Sequence, residues 1–224
     1  MGDTKSVSIS GLIAVPALIT LGITILRLVG ELAHWPSPLF STQAGGGGAI
    51  IGISWLPIIF GPYFALKLAG ADNGPASYGK AIGFAVGSLV AFFAGGVLFG
   101  STINHPNLLT ALALVLMLGS AFVPGLGWRS LGNTLVAYAF AARVPVLIVM
   151  YFAMTGKGGA GWGTHYDAVP PALASLPALR KFFFLGVVPQ MTVWIGFTAV
   201  VGSILGTIVA AIAGRKKQPA PAAV

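Results

Sequence analysis

The sequence predicts an all-α, polytopic integral membrane protein with six transmembrane helices in one bundle. Three observations carry this. Only 7% of the 224 residues are charged, where soluble domains carry about 25%. Hydrophobic residues make up 56%, and the mean hydropathy is +0.92. Apolar runs of roughly twenty residues recur along the chain, the length a helix needs to cross a bilayer.

The same figures exclude an ordinary soluble domain, a disordered chain and a nucleic-acid-binding domain, despite a formal net charge of +8. The basic residues are dispersed and form no patch, so no nucleic-acid partner is expected. The partner that the composition names is the lipid bilayer. Cysteine is absent, which removes disulfides, iron–sulfur clusters, thiolate zinc sites and covalent c-type haem together.

The six spans are expected at 9–29, 49–68, 81–103, 108–123, 134–155 and within 182–213. The first follows a short polar stretch with Lys5. Its long apolar run, with no small-residue cleavage site after it, marks a retained helix and not a signal peptide. The fourth is short. The last exceeds one straight span, and Pro189 marks a kinked or interfacial beginning. One transmembrane domain is expected over 1–214. Residues 215–224 read as a disordered tail, first basic and then rich in proline and alanine.

Six spans place both termini on one side. With the termini inside, the inner segments carry Lys5, Lys67, Lys80, Arg129, Arg215, Lys216 and Lys217. The outer ones carry Arg27, Lys157, Arg180 and Lys181. The positive-inside rule then predicts cytoplasmic termini in a plasma or inner membrane. Three helices plus three would be related by an inverted repeat. The third and sixth segments both carry small residues every four positions: Gly83, Gly87, Ala91 and Gly95 in one, Gly202, Gly206, Ala210 and Gly214 in the other. The second and fifth are both interrupted by proline.

A four-residue spacing lines one helix face. Small side chains there let helices approach closely where lipid supplies little hydrophobic drive. Gly83, Gly87, Gly95, Gly202 and Gly206 are therefore the expected packing residues, within the chain or across a homo-oligomer or larger complex.

Arg143 falls inside the fifth span, two residues before Pro145. A charge at mid-bilayer costs roughly 2.5–3.5 kcal/mol on insertion scales, so such residues face the bundle interior. Proline frees the carbonyl four residues earlier. Pro145 and Pro57 thus nominate the carbonyls of Ala141 and Ile53 as partners, and Arg143, Pro145 and Pro57 form the expected substrate site. Arg27 and Glu31 are four apart and share a helix face, an interfacial pair of the ordinary local kind.

His34, His105 and His165 all fall on the predicted outer side, with Asp167 beside the last. Imidazole and carboxylate suit a divalent metal, although no two histidines have the spacing of a metal motif. No cofactor is predicted beyond such an outer-face metal. The long outer loop is expected to fold back, with Trp162 and Tyr166 at the membrane interface and His165 and Asp167 turned toward His105 or His34. The glycine runs at 45–48 and 158–163 lack the surroundings of a phosphate loop and read as hinges.

The function expected first is a small permease or channel-like subunit moving a small solute. The alternative is a non-catalytic subunit of a membrane complex. A membrane enzyme or metal-binding protein comes third, because no acid, base and nucleophile gather in the sequence.

Overall fold

A computed structural model describes residues 7–102, 107–156 and 161–215. The described residues form helices and turns with no strand. The main helices are α1 (Ile9–Leu32), α2 (Leu56–Gly70), α3 (Tyr78–Thr102) and α4 (Leu108–Ser120). A short α5 (Pro124–Gly127) leads into α6 (Arg129–Thr155). After a loop come α7 (Ala178–Lys181), a π-helical turn (Phe182–Val187), α8 (Val188–Met191) and α9 (Val193–Arg215). The tail expected at 216–224 lies outside the described residues, as do His105 and Lys157.

Five stretches are long and apolar enough to cross a membrane: Ile9–Leu32, Tyr78–Thr102, Leu108–Gly127, Arg129–Thr155 and Ala178–Gly214. The molecule is therefore compatible with an integral membrane protein. The second expected span is not among the five. Its helix has 15 residues, or about 22 Å at 1.5 Å per residue, short of the roughly 30 Å hydrocarbon core. The cause is local. Gly52 and the glycines at 45–48 hold the backbone in turns. Pro57 then occupies the second position of α2, where a missing N–H costs nothing. Helix therefore starts at Leu56 and not at residue 49.

The chain divides into two compact units. One comprises 1–13, 56–137 and 196–224; the other comprises 14–55 and 138–195.

In the first unit, glycine permits close backbone approach. A Cβ at Gly61 of α2 would strike the backbone of Gly202 on α9, and one at Gly206 would meet the Gly61 carbonyl at 2.6 Å. Gly202 itself faces Leu135. On α3, a Cβ at Gly95 would come within 2.7 Å of Met117 on α4. The rest of the α3 stripe behaves differently, because a Cβ at Gly83 or Gly87 meets nothing within 4 Å. Those two glycines do not pack against the described residues, and the stripes of α3 and α9 are not used alike. Trp128 closes the end of the unit, donating from Nε1 to the Asn73 carbonyl at 2.7 Å and packing edge-on to Tyr78.

The second unit holds the polar residues of interest. Here α1 ends at a left-handed His34 (φ 53°). The Trp35 N–H bonds the Gly30 carbonyl and the His34 N–H bonds that of Glu31, the paired bonds that commonly stop a helix. His34 thus has a structural position. An apolar cluster forms from Val146, Met150, Ala153, Met154 and Tyr166, with Leu28, Ile53 and Trp162 against it.

Candidate functional site

Thr20, Thr24, Arg27 and Glu31 are spaced four, three and four apart on α1, so they line one face. Thr20, Thr24 and Glu31 are buried. The stripe climbs about 16 Å from Thr20 to Glu31 at helical rise. That is about half the thickness of a hydrocarbon core.

Each member is satisfied by a partner from another segment of the same unit. The Thr20 hydroxyl donates to the Pro16 carbonyl at 2.7 Å. Its single proton is then spent, so Tyr138, 2.8 Å away, donates to Thr20. The Tyr166 hydroxyl donates to the Thr24 carbonyl at 3.3 Å.

Glu31 is the centre of the upper half. Only 1% of it is exposed. Its Oε1 accepts from Arg27 Nε at 2.8 Å and its Oε2 accepts from the His165 N–H at 2.8 Å. The imidazole Nδ1 lies 2.7 and 2.8 Å from the two carboxylate oxygens. A carboxylate only accepts, so Nδ1 carries the proton and Nε2 keeps a lone pair. Burial, with the nearby Arg27 charge, lowers the His165 pKa from its ordinary value, against the opposing pull of the Glu31 hydrogen bond. His165 is consequently neutral at neutral pH. Burial likewise pushes the Tyr166 phenol up, so Tyr166 stays protonated and donates.

Arg27 extends beyond Glu31. Its Nη2 donates to the Gly46 carbonyl at 3.0 Å. A Cβ at Gly46 (φ 89°) would press within 2.8 Å of the guanidinium, and one at Gly52 within 2.9 Å. The glycine-rich loop is thus a close wrapping of Arg27 and not a loose hinge. A recess of about 320 Å³ opens nearby, lined by Glu31, His34, Trp35, Ser37, Phe40 and the residues 41–43.

The loop at 161–169 is held by Asp167. The N–H groups of Trp162, Gly163 and Thr164 donate to its carboxylate at 2.8–2.9 Å, and the Thr164 hydroxyl adds a fourth bond. Asp167→Ala should strip four donors of their acceptor. We expect amide exchange over 161–167 to accelerate by about tenfold or more, as one lost network of this kind is worth more than 1.4 kcal/mol. Exchange mass spectrometry checks this.

Arg143 is also buried, 4% exposed. Its Nη1 donates to Gln190 Oε1 at 3.4 Å, and its guanidinium carbon stands 4.6 Å from the Trp194 ring centroid. Its Nε is buried and finds no hydrogen-bond partner among the described residues. The phenols of Tyr138 and Tyr166 are within electrostatic reach. Gln190 arrives there through the π-helical turn. The Val188 N–H bonds the Phe183 carbonyl, five residues back, which rotates the following turn relative to an α-helix. Pro189 follows and lacks an N–H to restore the normal ladder.

Several expectations need correction. Pro57 begins α2 and interrupts no helix, so it frees no helical carbonyl at Ile53. Pro145 does lie inside α6, yet the partners of Arg143 are Gln190 and Trp194. Arg27 and Glu31 are paired, but not as an exposed interfacial couple. Tyr166, expected at the membrane interface, is a core residue with 3% exposed.

The outer-face metal set does not assemble among the described residues. No three His, Asp or Glu side chains gather there. Asp167 serves its own loop and His165 serves Glu31, while His105 is outside the described residues. Sequence reasoning missed Gln190, Tyr138 and the two threonines. The four-three-four spacing on α1 was the signal available for the threonines. Gln190, near a proline on a helix whose register shifts, left none.

Comparison of the chain with protein-family models, curated proteins and solved structures finds no match.

Proposed function

We propose that the chain is a small permease of the cell membrane that moves a small anionic solute past Arg143. The observation that carries this is a buried guanidinium that, among the described residues, has no carboxylate partner and no hydrogen-bond partner for its Nε. A charge left in that state is costly to bury. Within a membrane span such a residue marks a substrate or ion pathway. The polar stripe of α1 supports the reading, since it leads from the helix end toward Tyr138 and Arg143. Six crossings, with Leu56–Gly70 as a shortened second one, leave both termini in the cytoplasm by the basic-residue asymmetry. Six crossings also permit a three-plus-three inverted repeat, to which the unlike use of the glycine stripes on α3 and α9 lends no support.

The test is flux of radiolabelled chloride, acetate and phosphate into proteoliposomes. Wild type should carry at least one of them, and Arg143→Leu should abolish that flux. The variant should keep or raise thermal stability, because a buried charge with no carboxylate partner among the described residues has become apolar. Absent flux for all three anions, or equal flux in the variant, counts against the proposal.

One observation favours a second reading, that of a subunit in a membrane complex. Gly83 and Gly87 lie four apart on α3 with open space before both. A partner helix would fill it. Under this reading Gly87→Leu leaves the isolated chain stable but abolishes association in native-membrane co-purification.

A further inference from the structure

The groups around the Arg143 guanidinium engage some of its parts and leave one open. Nη1 donates to Gln190 Oε1. The Trp194 ring lies against the cation, its centroid 4.6 Å from Cζ. Nε is buried and has no hydrogen-bond partner among the described residues. A guanidinium is planar, and the Nε–H runs parallel to one N–H of Nη2 along a single edge. Nη1 is not on that edge. The cation is thus held at Nη1 and against Trp194, while the edge that includes Nε has an unused donor.

Charge narrows the choice of ligand. The titratable groups facing Arg143 are the phenols of Tyr138 and Tyr166, and phenols are neutral near pH 7. Their hydroxyls are bonded to the Thr20 hydroxyl and the Thr24 carbonyl. Arg143 is the one charge in this group. A monoanion would be neutralised there. A dianion would leave one charge unbalanced beside a residue that is 4% exposed, and buried unpaired charge is costly.

We propose that the solute taken by Arg143 is a small monocarboxylate, bound side-on through Nε and Nη2, with Gln190 and Trp194 as the residues that position the guanidinium. The proposal rests on the permease reading for Arg143 as the place of the solute. Two oxygens in one plane match two parallel N–H groups, the bidentate pairing in which arginine surpasses lysine. Chloride has no plane to match, and phosphate is tetrahedral and partly dianionic near pH 7. Met150 is the present neighbour of the Gln190 amide, with Sδ 3.9 Å from Nε2. A thioether is a weak acceptor on a flexible side chain, so it yields room without the loss of a strong bond.

The experiment is saturation-transfer NMR on the full chain in detergent near pH 7, with acetate as the probe. The acetate methyl signal should appear, and excess formate should displace it. Chloride or phosphate should need concentrations about tenfold higher or more to do the same. Arg143→Lys keeps the charge but loses the fork, and should bring chloride level with formate. Gln190→Glu, nearly the same size, gives Arg143 a resident carboxylate. It should be at least as stable as wild type and lose the acetate signal. No acetate signal in wild type, or chloride or phosphate displacing acetate as readily as formate, would overturn the carboxylate assignment without any variant having to fold. A formate preference retained in Arg143→Lys, or an undiminished signal in Gln190→Glu, would overturn it too. Proteoliposomes separate this from the permease reading. Selective acetate binding without acetate flux overturns the permease reading alone. Arg143-dependent flux of chloride or phosphate, with no preference for acetate, overturns the carboxylate assignment alone.

Discussion

Glu31→Ala is expected to cost about 3–5 kcal/mol, the range for removing one partner of a buried charge pair. The substitution leaves the Arg27 guanidinium, the His165 N–H and the His165 Nδ1 without their shared acceptor. Arg27 loses the charge that neutralises it inside the unit, and the loop at 161–169 loses its fastening to α1. In a fixed detergent the unfolding temperature should fall by on the order of 10 °C, scaling from 2–4 °C per kcal/mol for chains of this length. Glu31→Gln should cost less, because the amide oxygen still accepts one bond. Equal stability of wild type and the alanine variant would mean that water takes over the acceptor role, and that Glu31 is not the centre of the cluster.

The second large effect is expected at the α2–α9 crossing. Gly61→Leu places a branched side chain against the Gly202 backbone, and backbone cannot move aside as a side chain tip can. We expect a loss of about 3 kcal/mol or more, at the upper end of overpacking costs. Gly206→Leu should behave similarly, since its Cβ meets the Gly61 carbonyl at 2.6 Å and Ala65 at 3.1 Å. Gly87→Leu is the contrast. The sequence stripe predicts disruption there, but the open face of α3 predicts a change within about 0.5 kcal/mol for the isolated chain, as for other surface positions. Thermal unfolding of the three variants side by side checks the ranking. A destabilised Gly87→Leu monomer would show that α3 has an intramolecular neighbour on that face.

The helical, membrane-compatible character of this chain was legible in its composition. Runs of apolar residues with 7% charge leave few alternatives, because a backbone in lipid must bond to itself. Helix positions broadly followed from the same signal, although α6 begins at Arg129 and not at residue 134, the last apolar run is divided before α9, and α2 begins late. Pro57 reads equally well as an interruption or as a start, and only the turns before it decide that α2 begins there. The pairing of Arg27 with Glu31 was also legible, since a four-residue spacing brings side chains together whatever the surroundings.

What the tertiary structure alone decided is which groups from distant segments share a site. Glu31 meets His165 across 134 positions, and Thr20 meets Tyr138 across 118. No local periodicity encodes such distances. The neighbours of Arg143 depend on a π-helical turn that shifts Gln190 onto its face, a register change with no residue pattern of its own. Likewise, a glycine stripe specifies a face on which helices can approach closely. It does not specify whether a helix is there, because absence of a side chain creates room without choosing what fills it. Gly206 is packed and Gly87 is open for that reason.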